Sequence, residues 1–541
     1  MSRKKRNKKS PRQNKRRQQC RREHLRWKNR TVFFKLLKWF VLAGELFTKD
    51  TFHGNIKWKP EQLAAQAVIW SWQQTKNVTD AFDETLEICR ELGLEDMAQT
   101  YPTFMNGLHR YAQIFGPRLR KHYQTLAEEV GGRYFHTTGW VLIGFDGSRA
   151  TAPRTVSNEE AFRAPNYGHG QRAKYGKKKS KGMRRQRNQQ NPPQPPAPQA
   201  WITLMWHMGL RLPWTWRLGP SNSSERDHVK EILAHEEFPK NTLFCGDAGF
   251  VGYPLWSTIA AVPGANFLIR VGANVDLLTE QADVKKKGDG IVLCWPKGQM
   301  NSGAPPLRLR LVRVKVGKTK MWMLTSVLSR KQLGKKHIVR FYKMRWGIEV
   351  EFRGLKPTID KHRLRSRNSD RLLVELDWSI RGMAYAELIA LREQIPSTRA
   401  AGKRTKDYDP RDRSLANTMR ALRKCMRNLH KDCDPEDGLL YQLSQAMVQR
   451  YHNRTSHLNN WVVIARREEA RDGIARWKWL VRPGVVLESR REGVEFICAR
   501  WWPWLVVGSV RGGEGFHGNR LFDPEGTSKR TRSICGMWSS G

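Results

Sequence analysis

Three acids stand where the chain could do chemistry. Asp146 follows the apolar run Trp140-Val-Leu-Ile-Gly-Phe145 and precedes Gly147, Asp247 follows a second short run as Cys245-Gly-Asp-Ala-Gly-Phe250, and Glu349 lies in a periodic segment further on. Unbroken apolar runs predict strands covered on both faces. Taken singly, either Asp reads as a turn residue, because Asp-Gly and Gly-Asp are common turn dipeptides. Taken together they read differently. Two buried strands that each end on a carboxylate would crowd like charges, which is costly unless a cation lies between them. Oxygen donors suit Mg²⁺, and no His/Cys group at metal-binding spacing competes for that role.

The third acid follows from helical geometry. A long helix is expected from about Gln332 to Lys356, and it contains both Glu349 and Glu351. With Tyr342 at zero and about 100° per residue, Arg345, Glu349 and Lys356 fall at about −60°, −20° and −40°, while Glu351 falls at about 180°. Phe341, Met344, Ile348, Phe352 and Leu355 form the neighbouring core face. Glu349 is therefore the acid that shares a stripe with Tyr342, Arg345 and Lys356. The bland alternative is an amphipathic helix with an Arg345–Glu349 ion pair.

Tyr342, Arg345, Glu349 and Lys356, at intervals of three, four and seven, resemble the Tyr-Arg-Glu-Lys signature of bacterial insertion-sequence transposases of the insertion-sequence-four type. Asp146-Gly-Ser-Arg149, Gly246-Asp-Ala-Gly-Phe250 and Leu364-Arg-Ser-Arg367 followed by Glu375-Leu-Asp-Trp378 look like the same family, in its order. The resemblance covers about residues 60–395. It implies a DDE enzyme with a ribonuclease-H-like core and catalytic, metal-binding acids at Asp146, Asp247 and Glu349. Two Mg²⁺ ions, replaceable by Mn²⁺, would support cleavage of element ends and their transfer to target DNA. It implies DNA contacts by Tyr342, Arg345, Lys356 and Arg149, with Trp322 the nearest candidate to hold a flipped base, although Met321 stands where the family's aromatic would fall. The expected partners are double-stranded DNA and a second copy of the chain in a synaptic dimer, in the bacterial cytoplasm at the nucleoid. Two alternatives are a repurposed or decayed DNA-binding protein and a nuclease that cuts without joining.

The elements around these residues predict an α/β class. Pro60 opens a helix over Glu61–Gln74, Asp80 caps Ala81–Leu92, Pro102 opens Thr103–Ile114 and Pro117 opens Arg118–Glu129. Strands then alternate with a helix at Ser224–Ala234, and Leu307, Leu309 and Leu311 alternate with Arg before slipping to Val312, Val314 and Val316, which predicts a β-bulge near Leu311. The resulting division is a basic arm (1–30), a helical, DNA-binding N-terminal domain (31–135), a core in two parts (136–271 and 327–400), an antiparallel β insertion (272–326), a helical C-terminal region (401–460) and a tail without coherent period (461–541). A basic, Pro-rich insertion at 171–199 interrupts the core.

Charge agrees with a nucleic-acid partner. The 541 residues include 98 Lys+Arg against 50 Asp+Glu, a formal net charge of +48. Such a molecule attracts polyanions. Residues 1–30 hold 15 of the bases and one acid, and 171–190 hold nine and none. The first tract is expected to act as a salt-sensitive phosphate-binding arm. The eight cysteines form no CxxC pair, which argues against a disulfide framework or a structural zinc site, and no run is long enough to span a bilayer.

Overall fold

The computed structural model describes residues 29–48, 50–163, 197–272, 286–296, 305–400, 408–429 and 438–448, a few isolated positions, and short strands within 464–518. The expectations for the arm, for most of the 171–199 insertion and for much of the tail lie outside the described residues. The chain divides into two compact units, Met1–Val448 and Gln449–Gly541.

The first unit opens with five helices: α1 (29–40), α2 (Pro60–Trp72), α3 (Val78–Glu91), α4 (Tyr101–Arg110) and α5 (Ala112–Gly131). Pro60 starts α2 as expected, and the Thr100 hydroxyl accepts from Thr103 N–H to cap α4. Pro117 does not open a helix but lies inside α5, six positions in. Its missing N–H falls too far from the start to be an ordinary first-turn orphan, and the helix begins at Ala112 rather than at Arg118.

The sheet follows. Its strands are β1 (Val141–Thr151), β2 (Gln199–His207), β3 (Leu212–Pro220), β4 (Thr242–Gly246), β5 (Asn266–Val271), β6 (Leu278–Thr279), β7 (Asp289–Cys294), β8 (Leu307–Val316) and β9 (Thr319–Thr325). Their spatial order is β3-β2-β1-β4-β5-β9-β8-β7-β6. β2 runs antiparallel to β1 and β3 to β2, while β4 is parallel to β1 and β5 to β4. β9 returns antiparallel to β5, so the four insertion strands extend the core sheet. Helix α6 (Val156–Phe162) follows β1, α7 (Glu225–His235) lies between β3 and β4, and α8 (Tyr253–Ala261) between β4 and β5.

No bulge occurs near Leu311. The β8–β9 register runs unbroken from Arg310↔Thr325 to Val316↔Thr319. The alternation slips because both faces of β8 are covered from Leu309 to Val312, and Arg310 is buried with its guanidinium on Asp289 at 2.8 Å and on the Leu333 carbonyl. A buried, paired arginine sits where an apolar residue would keep the period.

Beyond the sheet come α9 (Lys335–Arg345), α10 (Gly347–Arg353), a π-turn at Gly354–Thr358, α11 (Ser369–Ala400), α12 (Leu415–Arg427) and α13 (Leu439–Ser444). The expected single helix from Gln332 is thus three pieces. Helix α11 carries the N-terminal helices: Trp72 Nε1 donates to Gly382 O at 2.8 Å, and Tyr385 OH donates to Leu119 O. Arg423 of α12 donates to Trp72 O. In the second unit, Ile464–Glu469, Ala475–Val481 and Val485–Ser489 form an antiparallel three-stranded sheet, regular structure in a tail whose period had given none. Among the described residues no helix is long and apolar enough to cross a membrane.

The Arg/Lys-rich loop 360–368 is fixed by one acid. Glu375, fully buried in α11, accepts from Lys361 Nζ (2.7 Å), Arg365 N–H, Ser366 N–H and Ser366 Oγ. Burial pushes this carboxyl up, but Lys361 and the Ser366 donors outweigh it and hold it below its ordinary value. Removing one partner strands the other, so Glu375→Ala should cost about 3–5 kcal/mol of unfolding free energy. A depressed carboxyl stabilises above its unfolded value of about 4.3 and loses that increment as pH falls through the folded value. Denaturant unfolding of wild type and Glu375→Gln should therefore differ most near neutrality and converge in acid; a gap that stays constant would contradict this.

Candidate active site

Asp146 and Asp247 come together through the β1–β4 pairing. That parallel pairing ends at Gly144↔Cys245, and each Asp lies two residues beyond it. Asp247 terminates β4 as expected and caps the next turn, its Oδ1 accepting from Gly249 N–H at 2.7 Å. Asp146 does not end β1. The strand continues to Thr151 against β2, with Asp146 opposite Leu204, and only β4 departs there. The Asp-Gly pair is consequently not a turn: Asp146 Oδ1 accepts from Gly147 N–H at 2.9 Å within a strand.

Glu349 is half-buried on α10. Burial pushes the Asp146 carboxyl up; the Gly147 N–H and Arg345 oppose this, and the negative charges of Asp247 and Glu349 add to it. The three acids therefore share one electrostatic neighbourhood. Arg345 is its resident cation. Its side chain is buried with Nη1 3.8 Å from Asp146 Oδ2, so it turns toward Asp146 rather than pairing along the helix. Arg345 Nε has no hydrogen-bond partner among the described residues, and the guanidinium lies over the Tyr342 ring at 5.7 Å. Tyr342 is itself buried, supporting Arg345 from the core. Lys356 is half-buried in the π-turn, where burial lowers its ammonium.

Glu351 has no place in this group. It is buried on α10 against Glu387, with Arg413 and Arg211 beside them. Burial, then Glu387, pushes its carboxyl well above the ordinary range. Arg149 stacks on Trp201 at 4.4 Å. Trp322 is half-buried within β9, opposite Arg313 and Val271, with Arg313 over its ring at 5.6 Å.

Two neighbours were not foreseen. Glu225 opens α7 with its carboxyl over Gly147, where a Cβ would stand 2.7 Å from Glu225 Cδ. Burial, then Asp146 and Asp247, pushes that carboxyl up to about 7, so it can exchange a proton near neutral pH. In sequence it is indistinguishable from any first-turn acid that favours a helix N-terminus. Trp346 lies between α9 and α10, 54% exposed beside Arg345. Its adjacency to Arg345 in the sequence was the only available signal.

Among the described residues no three His, Cys, Asp or Glu side chains converge closely enough to hold a metal. The donor chemistry nonetheless fits a hard divalent cation: part-buried carboxylate oxygens whose charges raise the Asp146 carboxyl, two of them just past the last β1–β4 pair.

Residues 205–385 match the family model of the transposase DDE domain. The matched span contains Asp247, Glu349 and the Tyr342–Lys356 stripe and begins after Asp146. Among solved structures the chain is similar to a piggyBac transposase synaptic complex with hairpin DNA determined by cryo-electron microscopy, at 12% identity and a TM-score of 0.34, over 82% of this chain and 87% of that one. No curated protein sequence matches the chain.

Proposed function

We propose that the chain is a DDE transposase of the insertion-sequence-four type that binds the ends of its element as a dimer, cuts them and joins them to target DNA. The transposase-domain match over residues 205–385 supports the class. The observation that carries the assignment of acids is the placement of Asp146 and Asp247 just past the last pair of adjacent parallel strands, with Glu349 near enough to raise Asp146. The order β3-β2-β1-β4-β5, with only the first three strands antiparallel, supports a ribonuclease-H-like core.

In this reading Asp146, Asp247 and Glu349 would hold two Mg²⁺ or Mn²⁺ ions, which when bound activate the attacking oxygen and stabilise the leaving one. The residues of the chain do the rest. Arg345, prefolded against Tyr342 and with an unsatisfied Nε, would fork onto a phosphate oxygen pair, and Lys356 would add a point charge. Glu225 can take up or release a proton beside Asp146. The exposed Trp346 is better presented than the half-buried Trp322 to stack on an unpaired base, an interaction of about 1–3 kcal/mol.

The test is incubation of the purified chain and Mg²⁺ with supercoiled plasmid carrying the element ends. Excised and joined products are expected. Nicking without joining would favour a nuclease, and a gel shift alone a DNA-binding protein. As a separate check, Trp346→Ala should reduce end cleavage about tenfold or more while Trp322→Ala changes it less; the reverse ranking would return the stacking role to β9.

A further inference from the structure

Helix α9 leads from the β insertion to the acids, and its exposed side carries one sign of charge. Ile338, Phe341, Tyr342 and Arg345 are its buried residues. At about 100° per residue Lys336, Arg340 and Lys343 lie within about 60° of one another on the opposite side, and all three are exposed. The helix, Lys-Lys-His-Ile-Val-Arg-Phe-Tyr-Lys-Met-Arg, contains no acid to pair with them. An ordinary solvated face mixes signs, as α7 does with Glu225, Arg226, Asp227, Lys230 and Glu231.

The stripe runs between two features. At the start of α9 it meets a cavity of about 520 Å³ lined by Lys287, Asp289, Arg310, Arg330, Gly334 and Lys335. Asp289, the acid among these lining residues, is already engaged by Arg310 at 2.8 Å and Arg330 at 3.5 Å, and Lys287 and Lys335 stand exposed beside it. At the other end stand Arg345 and the acids. Eleven residues of helix span about 16 Å, and Lys336, Arg340 and Lys343 follow one another at about 4.5–6 Å along its axis.

We propose that the exposed stripe of α9 is a track for one DNA backbone, seating phosphates on Lys336, Arg340 and Lys343 between the basic cavity at its first turn and the acids beyond its last. The proposal rests on the DNA-processing reading above and adds to it where, and over what length, the duplex lies. The track is rigid because its opposite face is packed into the core, so a phosphate held at the cavity fixes how far along the strand the reacting phosphodiester falls.

The test compares two charge-matched variants of the full chain. One is Lys336→Gln/Arg340→Gln/Lys343→Gln. The other is Lys315→Gln/Lys318→Gln/Lys320→Gln, which neutralises three exposed lysines on the β8–β9 hairpin. Binding to a short duplex is measured by fluorescence anisotropy over a salt series. Each lost phosphate contact lowers the log–log salt slope by about 0.9, so the α9 triple should lose roughly two to three units of slope and bind at least tenfold more weakly at physiological salt, while the hairpin triple loses under one unit. Equal losses in the two variants, or an unchanged slope in the α9 triple, would overturn the track. All six residues are exposed, so unchanged circular dichroism is expected, and single substitutions that each remove about 0.9 of slope give an independent readout. Failure of the wild-type chain to bind duplex at all would sink the DNA-processing reading itself, a result distinct from the others.

Discussion

Asp247→Asn is expected to lower end cleavage on the order of a thousandfold, about 4 kcal/mol of barrier, while end binding in a gel shift stays within about twofold. The substitution is mild for the fold. Asp247 Oδ1 accepts from the Gly249 N–H at 2.7 Å, and an Asn Oδ1 can keep that bond. What it removes is one of the charges that raise Asp146. The thermal midpoint should accordingly stay level or rise slightly, because a repulsive group at a functional site is relieved. Loss of activity with no loss of stability is the signature of an acid kept for chemistry. Retained cleavage, or lost binding, would show that the role given to Asp247 is wrong.

Gly347→Ala should be nearly as damaging although residue 347 bears no functional group. Gly347 is the first residue of α10, directly after the break at Trp346, and packs on the indole of Trp206 in β2. A Cβ there would stand 2.8 Å from Trp206 Cζ3 and 2.9 Å from Cζ2. Trp206 is fully buried, so its ring cannot swing away and the helix must move instead. Overpacking of this kind costs about 1–3 kcal/mol. Glu349 lies two residues further along the same short helix, and a shift of about 1 Å in a reacting group can cost on the order of a hundredfold in rate. The expected result is a hundredfold slower single-turnover cleavage, a modestly lower thermal midpoint and unchanged DNA affinity. Full activity in a stably folded Gly347→Ala chain would mean that α10 does not need this contact to position Glu349.

The legible parts of the fold were those written locally. The apolar runs marked β1, β4 and β5, Pro60 marked the start of α2, and Ser224 caps α7 by accepting from Asp227 N–H. The separation of Glu349 from Glu351 follows from the helical turn of about 100° per residue and holds within α10, where Glu351 turns to Glu387. The departures share a cause: contacts between residues distant in the chain. The break at Trp346–Gly347 is matched to Trp206, and the irregular period of β8 to a buried Arg310–Asp289 pair. The approach of Glu225 to Asp146 depends on Gly147 lacking a side chain. None of these leaves a local pattern. Asp146 seemed to end a strand because its apolar run ends there, yet hydrogen bonding to β2 carries β1 five residues further to Thr151.

The central claim is that Asp146, Asp247 and Glu349 act as one divalent-cation site, and Mn²⁺ binding tests it most directly. Electron paramagnetic resonance titration of the wild-type chain, free and bound to duplex, should reveal specifically held Mn²⁺ that Mg²⁺ displaces. Asp146→Asn, Asp247→Asn and Glu349→Gln should each weaken that binding at least tenfold, and Glu351→Gln should leave it unchanged. Three acid variants that bind Mn²⁺ as the wild type does would contradict the claim, as would a wild-type chain that holds none even on DNA.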